Sequence, residues 1–140
     1  MTNMANEITF TPSLNLNNAS VSSASPDKLT FNPGALQIDQ SALGRLDNII
    51  TVQSTAVAQI STTDLTTPGY AAIHNLDAAN YVEIGVTSTT GATVLIPFGK
   101  LKFGEAKIFR CSSSLNAGTY VLAAKANTAA VKIRAIILED

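Results

Sequence analysis

From Ile49 to Leu138 the chain is a succession of short apolar segments, each bounded by turn-forming residues. No stretch sustains helical spacing of apolar residues beyond two turns, which leaves an antiparallel all-β domain as the fold this pattern permits. The segments read as Ile49–Gln53, Thr55–Ser61, Tyr70–His74, Tyr81–Val86, Thr93–Pro97, Lys100–Phe103, Ala106–Cys111, Tyr120–Lys125 and Ala130–Leu138. Val82, Ile84 and Val86 share one face of their segment, and Lys100–Phe103 places Leu101 and Phe103 inward with both lysines outward. Between the segments, Thr66–Gly69, Asn75–Asn80, Thr87–Gly91, Gly104-Glu105 and Ser112–Gly118 supply the turns. Asn75-Leu76-Asp77 has the composition of an Asx turn, and Gly104-Glu105 is expected to close a hairpin. Strands of this length and spacing predict an antiparallel β-sandwich or jelly-roll-like domain.

The first 34 residues have a different texture. They are rich in Asn, Ser and Thr, with Pro12, Pro26 and Pro33 separating strand-like pieces at Ile8–Phe10 and Leu29–Phe31. This composition predicts an extended N-terminal arm over residues 1–34, ahead of a sandwich over 35–140. Gln40–Leu46 could make one helical turn capped by Ser41, weakened by Gly44. An arm of this kind needs something to hold it, and Ile8, Phe10, Leu29 and Phe31 are its candidate interface residues.

The last segment is informative for the same reason. Val131, Ile133 and Ala135 alternate with Lys132 and Arg134, and then Ile136, Ile137 and Leu138 follow without a break. Either the strand end is buried on both faces, or its outer face meets another subunit, with Ile136 and Leu138 as the contact.

Charge sharpens this reading. Only 14% of the 140 residues are charged against 46% hydrophobic, so the surface must be built from Thr, Ser, Asn and Ala. Ordinary domains carry about a quarter charged residues. A mild exterior suits a protein covered by neighbours in an assembly. The net charge of −1 draws it neither to nucleic acid nor to an anionic membrane, although residues 1–65 carry −3 and residues 66–140 carry +2. Lys100, Lys102, Lys107 and Arg110 form the one basic cluster, expected on the outer face of a single hairpin as a solvated face or an electrostatic contact with another copy. No apolar run reaches bilayer length, and Met1–Phe10 lacks the basic and apolar regions of a secretory signal, so cytosolic synthesis is expected.

Catalytic chemistry finds little footing. His74 is the only histidine and Cys111 the only cysteine, so neither a metal framework nor a disulfide can be assembled from them. A Cys111–His74 dyad and an Asp77/Glu83 carboxylate pair have no supporting motif. No phosphate loop, HExxH or GxSxG occurs. The expectation is a non-enzyme without cofactor or metal.

Several phrases do carry a resemblance. Thr67-Pro68-Gly69-Tyr70, the run from Asn75 to Val86, Leu101 to Arg110, and Ala124 to Ile133 followed by Ile137-Leu138-Glu139-Asp140 resemble a module in small virion proteins of tailed bacteriophages. The resemblance spans about half the chain and leaves the first 65 residues outside it. It implies a structural β-sandwich with no catalytic residues to carry over. The function it implies is a capsid decoration or cement subunit, assembled in the host cytoplasm and located in the virion. Its partners would be other virion proteins, foremost the major capsid protein, and copies of itself, with a trimer as one form. A tail, baseplate or fibre-adaptor component would share these features. From a different class, a carbohydrate-binding sandwich would present Tyr70, Tyr81 and Tyr120 to a glycan, though without any Trp.

Overall fold

The computed structural model describes residues 8–18, 27–38, 44–91, 93–112, 115 and 119–139, and its chain divides into two compact units, Met1–Ser41 and Ala42–Asp140. Within the first, β1 (Ile8–Phe10) pairs antiparallel with β4 (Leu36–Ile38), and β2 (Leu14–Asn18) pairs antiparallel with β3 (Asp27–Phe31). The segment expected to be extended therefore folds back on itself in two nested ladders. Gly34 permits part of this reversal, because its φ of 87° lies in the left-handed region and its N–H donates to Asn32 Oδ1 at 3.0 Å.

The second unit is the expected all-β sandwich, built from two four-stranded antiparallel sheets. One has the order β10-β7-β12-β5 and the other β6-β11-β8-β9. The strands are β5 (Arg45–Val52), β6 (Ala58–Gln59), β7 (Pro68–Asn75), β8 (Val82–Ser88), β9 (Ile96–Leu101), β10 (Ala106–Arg110), β11 (Tyr120–Ala126) and β12 (Val131–Glu139). Only β8 and β9 are joined as a hairpin within one sheet; every other connection in the sandwich crosses from one sheet to the other. The core between the sheets is aliphatic. Val52, Ile60, Ile73, Val82, Ile84, Leu122, Val131, Ile133 and Ile137 are its largest fully buried apolar side chains, mostly β-branched residues that fit a pleated surface.

β12 lies in the middle of its sheet, between β7 and β5. Val131, Ile133, Ala135 and Ile137 point into the core, while Lys132 and Arg134 are exposed. Arg134 makes a two-pronged bond to Asp47 on β5, at 2.8 and 2.6 Å. That pair lowers the Asp47 pKa chiefly through the Arg134 hydrogen bond, and its exposure makes it a minor contributor to stability.

Several sequence expectations are corrected. Residues 40–43 of the proposed helical turn lie outside the described residues, and Arg45 and Leu46 already belong to β5. The segment Thr55–Ser61 contributes only the two residues of β6. Pro68 and Gly69 belong to β7 and not to a turn, and Thr87 and Ser88 extend β8. Gly104-Glu105 does not close a hairpin, because β9 and β10 lie in different sheets. It makes the crossover between them, with Gly104 at φ 71° and the Glu105 N–H bonded to the Lys102 carbonyl. β9 ends at Leu101, so Phe103 sits in this turn and is 59% exposed rather than inward. The loop Ser112–Gly118 falls largely outside the described residues.

Two polar side chains tie the sandwich together. Asn75, wholly buried at the end of β7, donates from Nδ2 towards the carbonyls of Asn80 (2.9 Å), Leu101 (3.1 Å) and Lys102 (3.1 Å). Three facing carbonyls fix which end of the amide is nitrogen. Its Oδ1 accepts from the Asp77 N–H at 2.9 Å, which is the expected Asx turn. Its backbone N–H donates to Glu105 O, and its carbonyl accepts from Gly104 N–H. Asp77 completes the turn by accepting from the N–H groups of Ala79 and Asn80; these bonds, that of Asn80 first, lower its pKa. At the far end of β12, the buried Glu139 carboxylate accepts from the Gly44 and Thr66 N–H groups. A Cβ on Gly44 would overlap that carboxylate, so the glycine is there for close approach.

Asn75→Ala is expected to lower unfolding stability by about 3 kcal/mol, measured by urea denaturation, because it strands buried carbonyls and an N–H without partners. Hydrogen bonds from the Thr66 backbone, and then from Gly44 and Thr67, hold the Glu139 carboxyl below its ordinary value. A depressed folded pKa stabilises fully above the ordinary value and is lost as pH falls through the folded one. The stability difference between wild type and Glu139→Gln should therefore be largest near pH 6 and shrink towards pH 3.

Candidate functional site

The residues expected to make contacts fall into separate places. In the N-terminal unit, Ile8 lies in β1 opposite Ile38, Phe10 lies opposite Leu36, and Leu29 lies in β3 opposite Leu16. Phe31, opposite Leu14, is 57% exposed.

Ile136 and Leu138 resolve the broken alternation of β12. Both are half-buried on the outer face of their sheet, opposite the core-facing Ile137. Register places them in two rows across the strands. One row runs Ile108, Ala72, Ile136 and Asp47, and the next runs Arg110, Tyr70, Leu138 and Arg45. Ile108 is 51% exposed and Ile49, two residues along β5 from Asp47, is 66% exposed. The outer face of this sheet thus carries an apolar strip framed by the guanidinium groups of Arg45, Arg110 and Arg134. The alternation signal located the strip on β12, but only the pairing register shows Ile108 and Tyr70 joining it.

The four cations expected on one hairpin face are divided between two sheets and a turn. Lys100, on β9, stands opposite Glu83, which in turn stands opposite Lys125 on β11. Its ammonium lies 4.2 Å from the Tyr81 ring centroid. Lys102 lies in the crossover turn, where its N–H donates to the Glu105 carboxylate at 2.7 Å. Arg110 points outward and stacks on Tyr70 at 5.1 Å, with its Nη1 3.3 Å from the tyrosine hydroxyl. Lys107 is three residues from Arg110, an odd step that turns it to the inner side of β10, opposite the buried Ile73. It is half-buried there, 5.7 Å from the Phe98 ring centroid.

Lys107 opens onto a feature the sequence reading missed. Where edge strands β9 and β10 face each other, the sandwich holds a cleft of about 550 Å³ lined by Val86, Phe98, Phe109, Cys111, Leu115 and Tyr120, with Lys107, Arg110 and Ser112. Phe98 reaches it through a β-bulge: Ile84 pairs with Gly99 and Gly85 with Pro97, leaving Phe98 as the extra residue. Its ring meets Phe109 edge-on, with centroids 5.1 Å apart. The approach of β9 to β8 at this bulge requires Gly85, where a Cβ would overlap the Ile96 carbonyl. At Gly99, a Cβ would stand 3.3 Å from both Lys107 Nζ and Ile84, so this glycine leaves room for the lysine. Pro97-Phe98-Gly99 was the available signal, since proline within a strand marks an edge or a bulge.

The remaining candidates are dispersed. His74 is exposed near one end of β7 opposite Ala106, whereas the Cys111 N–H bonds Gly69 near the other end, roughly 16 Å away at strand rise. Asp77 is committed to its turn, and Glu83 stands in register between Lys100 and Lys125. Among the described residues no three His, Cys, Asp or Glu side chains gather as metal ligands, and no helix is long and apolar enough to cross a membrane. Tyr70 and Tyr81 each have a cation over the ring, while Tyr120 lines the cleft.

Burial pushes the Cys111 thiol up to about 11, with the nearby Arg110 charge acting in the opposite direction. Thiol labelling at pH 8 should accordingly be slower in the folded protein than in the urea-unfolded chain by about two orders of magnitude; equal rates would show the thiol to be open and ionisable. In comparisons with known proteins, no family model, no curated protein and no solved structure matches this chain, so the molecule is characterised by its own geometry, that of a small all-β two-sheet sandwich.

Proposed function

We propose that the chain is a virion structural protein of a tailed bacteriophage, a decoration or cement subunit that stabilises the head. The observation that carries this reading is the apolar strip of Ile108, Ala72, Ile136, Leu138 and Tyr70 on the outer face of one sheet. A contiguous apolar face on a surface this poor in charge favours protein–protein contact over solvent. Three of its residues, Tyr70, Ile108 and Leu138, fall within the phrases that resemble small virion proteins. The N-terminal unit, separately packed and carrying the exposed Phe31, supplies a second attachment element.

On this reading the partners are the major capsid protein and further copies of the chain, meeting in the virion after assembly in the host cytoplasm. Nucleic acid and lipid are not contacted directly, and the protein performs no chemistry. The cations stacked on Tyr70 and Tyr81 leave a glycan fewer open ring faces, which favours assembly over carbohydrate binding.

Cosedimentation with undecorated phage heads, compared against tail assemblies, tests the proposal. Saturable binding to heads at a fixed copy number is expected. Binding to tails alone would transfer the protein to the tail or adaptor role, and binding to neither would overturn the virion reading. Ile136→Asp should weaken subunit association at least tenfold while moving the unfolding midpoint little, because a charge placed in a contact is desolvated only in the assembly. Deletion of residues 2–34 should abolish attachment and leave the sandwich folded.

A further inference from the structure

We propose that the cleft between β9 and β10 binds a small amphipathic anion: an aliphatic or aromatic carboxylate whose apolar body lies against Phe98, Phe109 and Leu115 and whose charged end meets Lys107. The inference is independent of the assembly role, since it concerns the sandwich edge and not the outer sheet face.

Three observations support it. The cleft's volume of about 550 Å³ falls in the range that encloses small organic ligands, and its walls combine apolar side chains with few polar groups. Among the described residues its lining holds two cations and no carboxylate. Four acidic side chains of the sandwich are engaged elsewhere: Glu139 with the Gly44 and Thr66 N–H groups, Asp77 in its turn, Asp47 with Arg134 and Glu105 with the Lys102 N–H. No ion pair joins Lys107 to any described carboxylate. Lys107 is therefore half-buried on the inner side of an edge strand, against an aromatic ring and without an ion pair among the described residues. An ammonium partly removed from water gains most from a charge-assisted bond to an anion. Arg110, already stacked on Tyr70, adds positive potential at the rim and is not the primary contact.

The same features select against other ligands. A cation would meet like charge and find the Phe98 ring already facing Lys107. A neutral alcohol of equal length would keep the apolar contacts and lose the ionic one. An inward lysine on an edge strand also guards against edge-to-edge pairing, and that role alone requires no ligand.

Octanoate, octan-1-ol and octyltrimethylammonium, each titrated into the full-length protein below micelle formation, separate these possibilities. Methyl NMR of Val86 and Leu115 locates the binding. Octanoate is expected to saturate with shifts at both residues and to bind at least tenfold more tightly than either of the others. Lys107→Met, which keeps the apolar stem, should remove that preference while leaving octan-1-ol binding unchanged. Absence of saturable octanoate binding, shifts away from the cleft, equal affinity for the three ligands, or an undiminished preference in Lys107→Met would overturn the proposal. Should Lys107→Met fail to fold, the ligand series on the wild-type chain decides.

Discussion

One buried amide holds the architecture in register. Asn75 sits where β7 leaves its sheet, and its side chain and backbone together bond the chain entering β8, the end of β9 and the crossover to β10. A sandwich whose connections mostly pass between sheets must bring irregular backbone close to the core, and each buried carbonyl there needs a donor. Asn75 supplies it at the most crowded point. An isosteric aspartate would place negative charge against three carbonyl oxygens and could not take its place. At the opposite end of the sandwich, where β12 meets the start of β5, the Glu139 carboxylate accepts from the Gly44 and Thr66 N–H groups.

The sequence announced the core of this arrangement and obscured its edges. The alternation in Val131–Ala135 and Val82–Val86 reports a strand with one buried face, and for Val131, Ile133, Val82 and Ile84 the structure agrees. The turn at Asn75 was equally legible, because an Asx turn depends on local chemistry. Phe103 and Lys107 were not legible. The direction of Phe103 follows from where β9 stops. The odd spacing of Lys107 and Arg110 sets them on opposite faces, but which of the two turns inward follows from β10 joining the other sheet. Thr55–Ser61 alternates well but pairs over only two residues, since alternation describes burial and not a hydrogen-bonding partner. Glu139 carries no local signal of burial; its partners are N–H groups at Gly44 and Thr66, far away in sequence.

The cleft and the outer strip express one economy of composition. A core made of aliphatic residues leaves the aromatic side chains near the surface, where Phe98, Phe103, Tyr120 and Phe31 are exposed. With so few charges to cover them, part of the apolar surface gathers on one sheet face and at one sandwich edge, while Phe31, Leu76, Val94 and Phe103 are exposed outside both. The bulge at Phe98 and the proline before it keep that edge from offering a flat ladder to a passing strand, so apolar exposure is maintained there without an invitation to pair.

The connection pattern also bears on how the chain reaches this state. The sandwich's first strand, β5, finds its partner in its last, with Arg45 opposite Leu138 and Val52 opposite Val131. Little of the sheet containing them can form from neighbouring segments alone. Folding of such a topology is limited by closing long loops, on the order of milliseconds to seconds, rather than by local ordering. On the ribosome, β5 would emerge before β12 and wait for it, its edges uncovered until that strand follows. A sparsely charged chain in that position depends on the speed of its own completion to avoid pairing with its neighbours.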